Sequence, residues 1–129
     1  MSDKTDKEDF LSILYHALRT RRRREVIRLI HTTDTPTLSV RFLAREIAVA
    51  EHELPRTQAT GEPYRNVYNA LSQSHLPTLA DARIVIYDPE RQTVAGGPNL
   101  LLAALLVAIS QPAIETLQDR KSTNSDDPL

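Results

Sequence analysis

A chain of 129 residues with 40% apolar content is long enough for one compact core that buries roughly two-thirds of the unfolded surface, with short extensions at its ends. The absence of cysteine excludes a disulfide framework, a zinc-thiolate site and a thiol nucleophile. A net charge of −1 excludes no nucleic-acid partner, because such partners respond to local charge rather than to the sum.

The sixteen basic residues divide into thirteen Arg and three Lys. Arginine forks onto phosphate and guanine better than lysine does, although GC-rich coding gives the same bias without any function. The opening MSDKTDKED is polar and lacks the apolar run of a signal peptide, so a cytoplasmic address is expected. Residues 1–8 and 119–129 read as polar, disordered tails. Between them lie a folded stretch over 9–96 and an apolar C-terminal helix over 97–118.

Phe10, Ile13, Leu14, Ala17 and Leu18 share one helical face, but Val26, Ile27, Leu29 and Ile30 fall on nearly the opposite face if the helix is continued. The chain must therefore break near Thr20, giving helices at about 9–18 and 21–31 with Thr20 as N-cap of the second. Leu38 sits in a very short strand, and Ser39 caps a third helix with the buried stripe Val40, Leu43, Ala44, Ile47 and Ala50. Phe42, opposite that stripe, packs under another element. Pro55, Gly61 and Pro63 bracket a polar loop, after which a fourth helix runs from Pro63 to about His75, with Pro77 forcing an adjustment. A hairpin follows: IVIYD, a turn in DPERQ, then TVAG.

This order predicts a mainly α fold with a small β-hairpin wing, an α+β winged helix-turn-helix plus a C-terminal dimerisation helix. In that arrangement the helix before the hairpin enters the major groove. Its outer face carries Arg65, Asn66, Asn69, Ser72 and Gln73 and, over 64–75, no acid. Asn and Gln pair bidentately with adenine and Arg with guanine, so these five residues are the candidate base readers. A plain polar surface is the competing reading. Arg21, Arg22, Arg23 and Arg24 crowd the start of a helix, where the macrodipole disfavours cations. They are the candidate phosphate contacts, together with Arg91 at the hairpin tip.

His16, His31, His52 and His75 lack ligand spacing, so no metal is expected. No cofactor is implied, and no phosphate loop or nucleophile elbow supports an enzyme.

Asn99 caps a last helix that is apolar all round from there to Ile109 and needs cover on more than one side. At about 15 Å it is too short to span a membrane. Leu101, Leu105 and Ala108 are expected to pack on the domain while Leu100, Leu102, Leu106 and Ile109 face a second subunit. Pro112 then kinks the helix, with Ile114 and Leu117 continuing its stripe.

The segment YRNVYNALSQSHLPTLADARIVIYD, preceded by ALRTRRRREVIRLI and LSVRFLAREIAVAE, resembles a widespread family of winged-helix domains of halophilic archaea over residues 11–96. That resemblance implies a transcription-regulator-like DNA-binding domain. Two features depart from it: Arg83 stands where such domains usually carry Gly, so the turn into the wing is expected to avoid a Gly-only conformation, and the near-neutral charge lacks a halophile's acidic excess. The expected function is a sequence-specific double-stranded DNA-binding regulator acting as a homodimer. The alternative is a winged-helix protein–protein interaction module without DNA-binding activity.

Overall fold

The helical period breaks at Thr20, whose extended backbone (φ −96°, ψ 144°) lets its side chain accept from the Arg23 N–H at 3.2 Å. In this computed structural model the backbone is described for residues 3–53, 55 and 61–110, and side chains within those ranges from Asp9 onward. Helix α1 (Asp3–Ala17) precedes the break and α2 (Arg21–Thr32) follows it. The first helix thus begins well before residue 9, inside the stretch expected to be a disordered tail. Strand β1 (Thr37–Ser39) leads into α3 (Val40–His52), where the Ser39 hydroxyl accepts from the Phe42 N–H at 3.0 Å. The α3 stripe is buried at Val40, Leu43, Ala44 and Ile47 as its spacing requires, but Ala48 completes it while Ala50 is exposed. Phe42 is half-buried against the same core.

Helix α4 (Glu62–Ala70), a π-turn (Leu71–His75) and α5 (Leu76–Asp81) form one continuous helical rod. Pro77 explains the π-turn. Proline donates no hydrogen bond, and in a regular α-helix its ring would strike the carbonyl four residues back, at Gln73. The widened turn, closed by the Leu76 N–H on the Leu71 carbonyl, relieves that clash without ending the helix. The expected stop near His75 is therefore a bulge, and the rod runs on to Asp81.

Strands β2 (Val85–Asp88) and β3 (Thr93–Gly96) form the hairpin. At its turn, Asp88 Oδ1 accepts from the Glu90 and Arg91 N–H groups at 3.1 and 3.2 Å, an Asx turn with Pro89 at its second position. β1 pairs antiparallel with β3, Leu38 opposite Val94, so the sheet has three strands in the order β1-β3-β2. Leu38, Val85 and Val94 turn inward onto the helices, and Ile86 points out. The architecture is α+β, mostly helical with this one small antiparallel sheet. Its core joins α2, α3, the helical rod and the sheet through Ile27, Leu43, Ile47, Leu71, Leu79 and Val94.

The rod ends in a Schellman motif: the Arg83 N–H bonds the Ala80 carbonyl at 2.9 Å and the Ile84 N–H bonds the Leu79 carbonyl at 3.0 Å. The motif demands a left-handed residue after the cap, and Arg83 supplies it at φ +58°. The expectation that Arg83 steers this turn away from a glycine conformation is corrected, since the backbone is the one glycine favours, held by a side chain that strains it. Gly97 packs on the same spot. A Cβ there would lie 2.6 Å from the Arg83 carbonyl oxygen, so only glycine allows the approach. The Gly97 N–H reaches the Ile84 carbonyl at 2.9 Å, and Asn99 donates from its backbone to the Arg83 carbonyl (2.8 Å) and from its side chain to the Ala82 carbonyl (3.0 Å).

These bonds set the start of α6, helical over residues 100–110. Its continuation to 118, with Pro112, Ile114 and Leu117, lies outside the described residues, as do the tail 119–129 and loop residues 56–60.

Candidate nucleic-acid interface

Gly61 (φ 74°, ψ −147°), in a region of backbone space that is almost exclusively glycine's, starts α4 abruptly, with Pro63 in the first turn. From there Val67 and Leu71 are driven into the core, and Tyr64 and Tyr68 half-bury with ring centroids 5.9 Å apart. The opposite side presents Arg65, Asn66, Asn69 and Gln73 to solvent. Because the helix begins at Glu62 rather than Pro63, that exposed acid joins the same face one turn before Asn66. The acid-free face of the sequence therefore has one carboxylate at its N-terminal edge, where the helix dipole favours it.

Ser72 departs from this group. Its hydroxyl is half-buried and donates to Gln92 Oε1 at 2.9 Å. Gln92 Nε2 in turn donates to the Tyr87 hydroxyl (2.9 Å) and the Pro89 carbonyl (2.8 Å), and the Gln92 carbonyl accepts from the Val40 N–H at 3.0 Å. One residue, held at φ +53°, thus ties the π-turn, the hairpin and the start of α3 together. A regular 100° projection places Ser72 outward, and the wide turn forced by Pro77 is what makes that projection fail. Gln92 was not singled out from sequence; its only signal is a long amide just past a Pro-led turn.

The arginine run is taken up largely by the fold. Arg23 is buried, 5% exposed, with Nε on the Ala17 carbonyl and Nη2 on the His16 carbonyl, both at 2.8 Å, closing the C-terminus of α1. Arg24 Nη1 donates to the Leu18 and Arg19 carbonyls, each at 2.9 Å. Arg22 grips Glu51 bidentately, Nε to Oε2 at 2.6 Å and Nη2 to Oε1 at 2.8 Å, which holds the Glu51 carboxyl below the usual range. Arg28 pairs with Glu25 one turn away. Of the four consecutive arginines expected on phosphate, only Arg21 is exposed with no hydrogen bond or ion pair among the described residues. Arg91 at the hairpin tip stands in solvent, 4.0 Å from Asp88.

Arg41 is a further exposed cation, in the first turn of α3 beside Val40, whose N–H holds the hairpin turn. The same dipole conflict that singled out the run marks this position too, with no acid in that turn to relieve it.

His75, at the end of the π-turn, lies with Nδ1 3.5 Å from Arg23 Nη1. Burial, and then the charges of Arg23 and Arg22, hold its pKa below the ordinary histidine value against a smaller upward pull from Glu51. Among the described residues no three His, Asp or Glu side chains gather to hold a metal ion, and no described helix is long and apolar enough to cross a membrane.

The last helix sits the other way round from expectation. Ala103 is fully buried, and Leu100, Ala104, Leu106 and Val107 pack partly against the core. Leu101, Leu105 and Ala108, expected on the domain, point to solvent with Leu102 and Ile109. The small side chain of Ala103 lets the helix approach closely, and the Asn99 strut sets its rotation. An all-apolar stretch carries neither signal. Of the four residues assigned to a subunit interface, Leu102 and Ile109 remain exposed, whereas Leu100 and Leu106 are partly covered by their own domain.

No curated protein and no solved structure matches this chain. A family model described as a domain of unknown function, DUF7344, matches residues 15–95, from the end of α1 to the last strand, and the chain belongs to that family.

Proposed function

We propose that this protein is a winged-helix, sequence-specific double-stranded DNA-binding regulator that acts as a homodimer, with α4 in the major groove and the β2–β3 hairpin as its wing. One observation carries the reading. A helix braced by a side-chain network against a hairpin turns an outward face of Arg65, Asn66, Asn69 and Gln73 to solvent. Exposed helix faces are commonly filled with Glu and Lys, which favour helix and solubility. This one carries side chains that pair bidentately with base edges. Arg65 and Asn69 are the leading base readers, Asn66 and Gln73 flank them, and Ser72 becomes a positioning residue. Phosphate contact falls to Arg21, Arg41 and Arg91, while Arg22, Arg23 and Arg24 serve the fold.

A second reading, a winged-helix module that binds another protein and no DNA, is favoured by the exposed apolar side chains of α1 and α6. Electrophoretic shift against genomic fragments with salt titrated separates the two. The DNA reading predicts fragment-selective shifts whose affinity falls with salt at a slope of roughly one per phosphate contact. Absence of any shift at low salt refutes it.

A further inference from the structure

Among the described residues nine large apolar side chains are exposed, and eight of them belong to α1 and α6. The two helices flank one open groove of about 480 Å³, walled by Leu11 and Tyr15 from α1, by Leu18 in the turn just after it and by Leu106 and Ser110 from α6. Beside it, Leu101, Leu105 and Ile109 are spaced four residues apart and are 70%, 55% and 63% exposed. They form an uncovered ridge along α6. We propose that a second copy of this chain covers this surface, the Leu101–Leu105–Ile109 ridge of each copy lying in the α1–α6 groove of the other. This deepens the homodimer of the proposed function by naming its interface, and it adds α1 to it.

Three observations select a second copy as the occupant. Ridge and groove lie side by side on one molecule, so a two-fold axis can satisfy both at once, which is the self-complementarity an isologous interface needs. From Phe10 to Leu18 and from Leu100 to Ser110 there is no Asp, Glu, Lys or Arg; across a two-fold axis such charges would face their own kind, and their absence removes that repulsion. The exposed parts of Leu11, Tyr15, Leu101, Leu102, Leu105 and Ile109 come to roughly 700 Å². That area is near the ~800 Å² per partner of a standard interface and above what monomers usually leave uncovered. A small ligand fits less well, because the Ser110 hydroxyl is already donated to the Leu106 carbonyl at 2.7 Å and few polar groups remain to orient it.

Sedimentation velocity of the full chain tests this with Leu105→Asp, Tyr15→Asp and, as control, Ile86→Asp, whose side chain is 60% exposed on the sheet and lines no part of the groove. Wild type and Ile86→Asp should sediment at twice the 14.5 kDa chain mass, and the two patch variants at the single mass with unchanged far-UV circular dichroism. Should either aspartate unfold the chain, Leu105→Ser and Tyr15→Ser carry the same comparison as a shift of at least tenfold in the dimer dissociation constant. A monomeric wild type, which would leave the groove to a different occupant, or a dimer equally tight in all variants, overturns the proposal. The DNA reading fails separately: a chain that is dimeric through these residues but shifts no DNA keeps this interface and loses that function.

Discussion

The arginine run of α2 and the outward face of α4 read alike in sequence, each a cluster of residues poorly suited to helix stability and well suited to nucleic acid. The fold treats them in opposite ways. Arg22, Arg23 and Arg24 find partners in Glu51 and in four backbone carbonyls, whereas Arg65, Asn66, Asn69 and Gln73 stay in solvent. An N-terminal cation opposes its own helix dipole but, when only a short turn separates it from the preceding helix, it can cap that helix's orphan carbonyls. Arg23 and Arg24 do this for the carbonyls of residues 16–19 at the end of α1.

If the contrast is sound, the largest effect on stability belongs to Arg23. Arg23→Ala leaves the His16 and Ala17 carbonyls without their charged donor and should cost about 3 kcal/mol in urea unfolding. Arg23→Lys should restore little, because an ammonium cannot fork onto two carbonyls and a ring nitrogen together. A loss under about 0.5 kcal/mol would return the residue to the surface patch. Ser72→Ala should cost about 1 kcal/mol for its bond to Gln92 and, by loosening the hairpin, weaken binding to all DNA sequences alike. A change confined to one base position would instead make Ser72 a base reader.

The contrast also shows what the residues could reveal unaided. Caps at Thr20 and Ser39, the hairpin with its Asp-Pro turn, and the inward faces of α2 and α3 were legible because each rests on local chemistry or strict periodicity. The third strand pairing, the π-turn and the rotation of α6 were not. Each depends on a partner distant in sequence or, at Pro77, on a choice between breaking the helix and widening it that the proline alone does not decide. The bound state of the arginines was hidden for the same reason, since His16, Ala17 and Glu51 become their neighbours only in three dimensions.

Arg83 offers a smaller test. Arg83→Gly relieves the left-handed strain of roughly 1 kcal/mol, part of which the more flexible unfolded glycine chain cancels. A net gain of about 0.5 kcal/mol in thermal unfolding is expected, and a loss would mean the Arg83 side chain contributes contacts that outweigh its strain. His75 gives the mildest effect. Its pKa lies below the unfolded value in the fold, so between the two values the unfolded chain binds the extra proton. Stability is therefore full above about pH 6.5 and declines as pH falls below it. Urea midpoints at pH 7.5 and 5.5 should differ more for wild type than for His75→Gln, and an equal difference would remove His75 as the cause.

Whether the α4 face reads bases is decided by selection from random double-stranded DNA with wild type, Arg65→Ala and Asn69→Ala. Loss of a bidentate contact should cost about 1–3 kcal/mol at the preferred site and leave nonspecific binding nearly unchanged. Each variant is predicted to fold as wild type does and to relax discrimination at a different base position. Recovery of one motif with one preference by all three proteins would mean that this helix does not read bases.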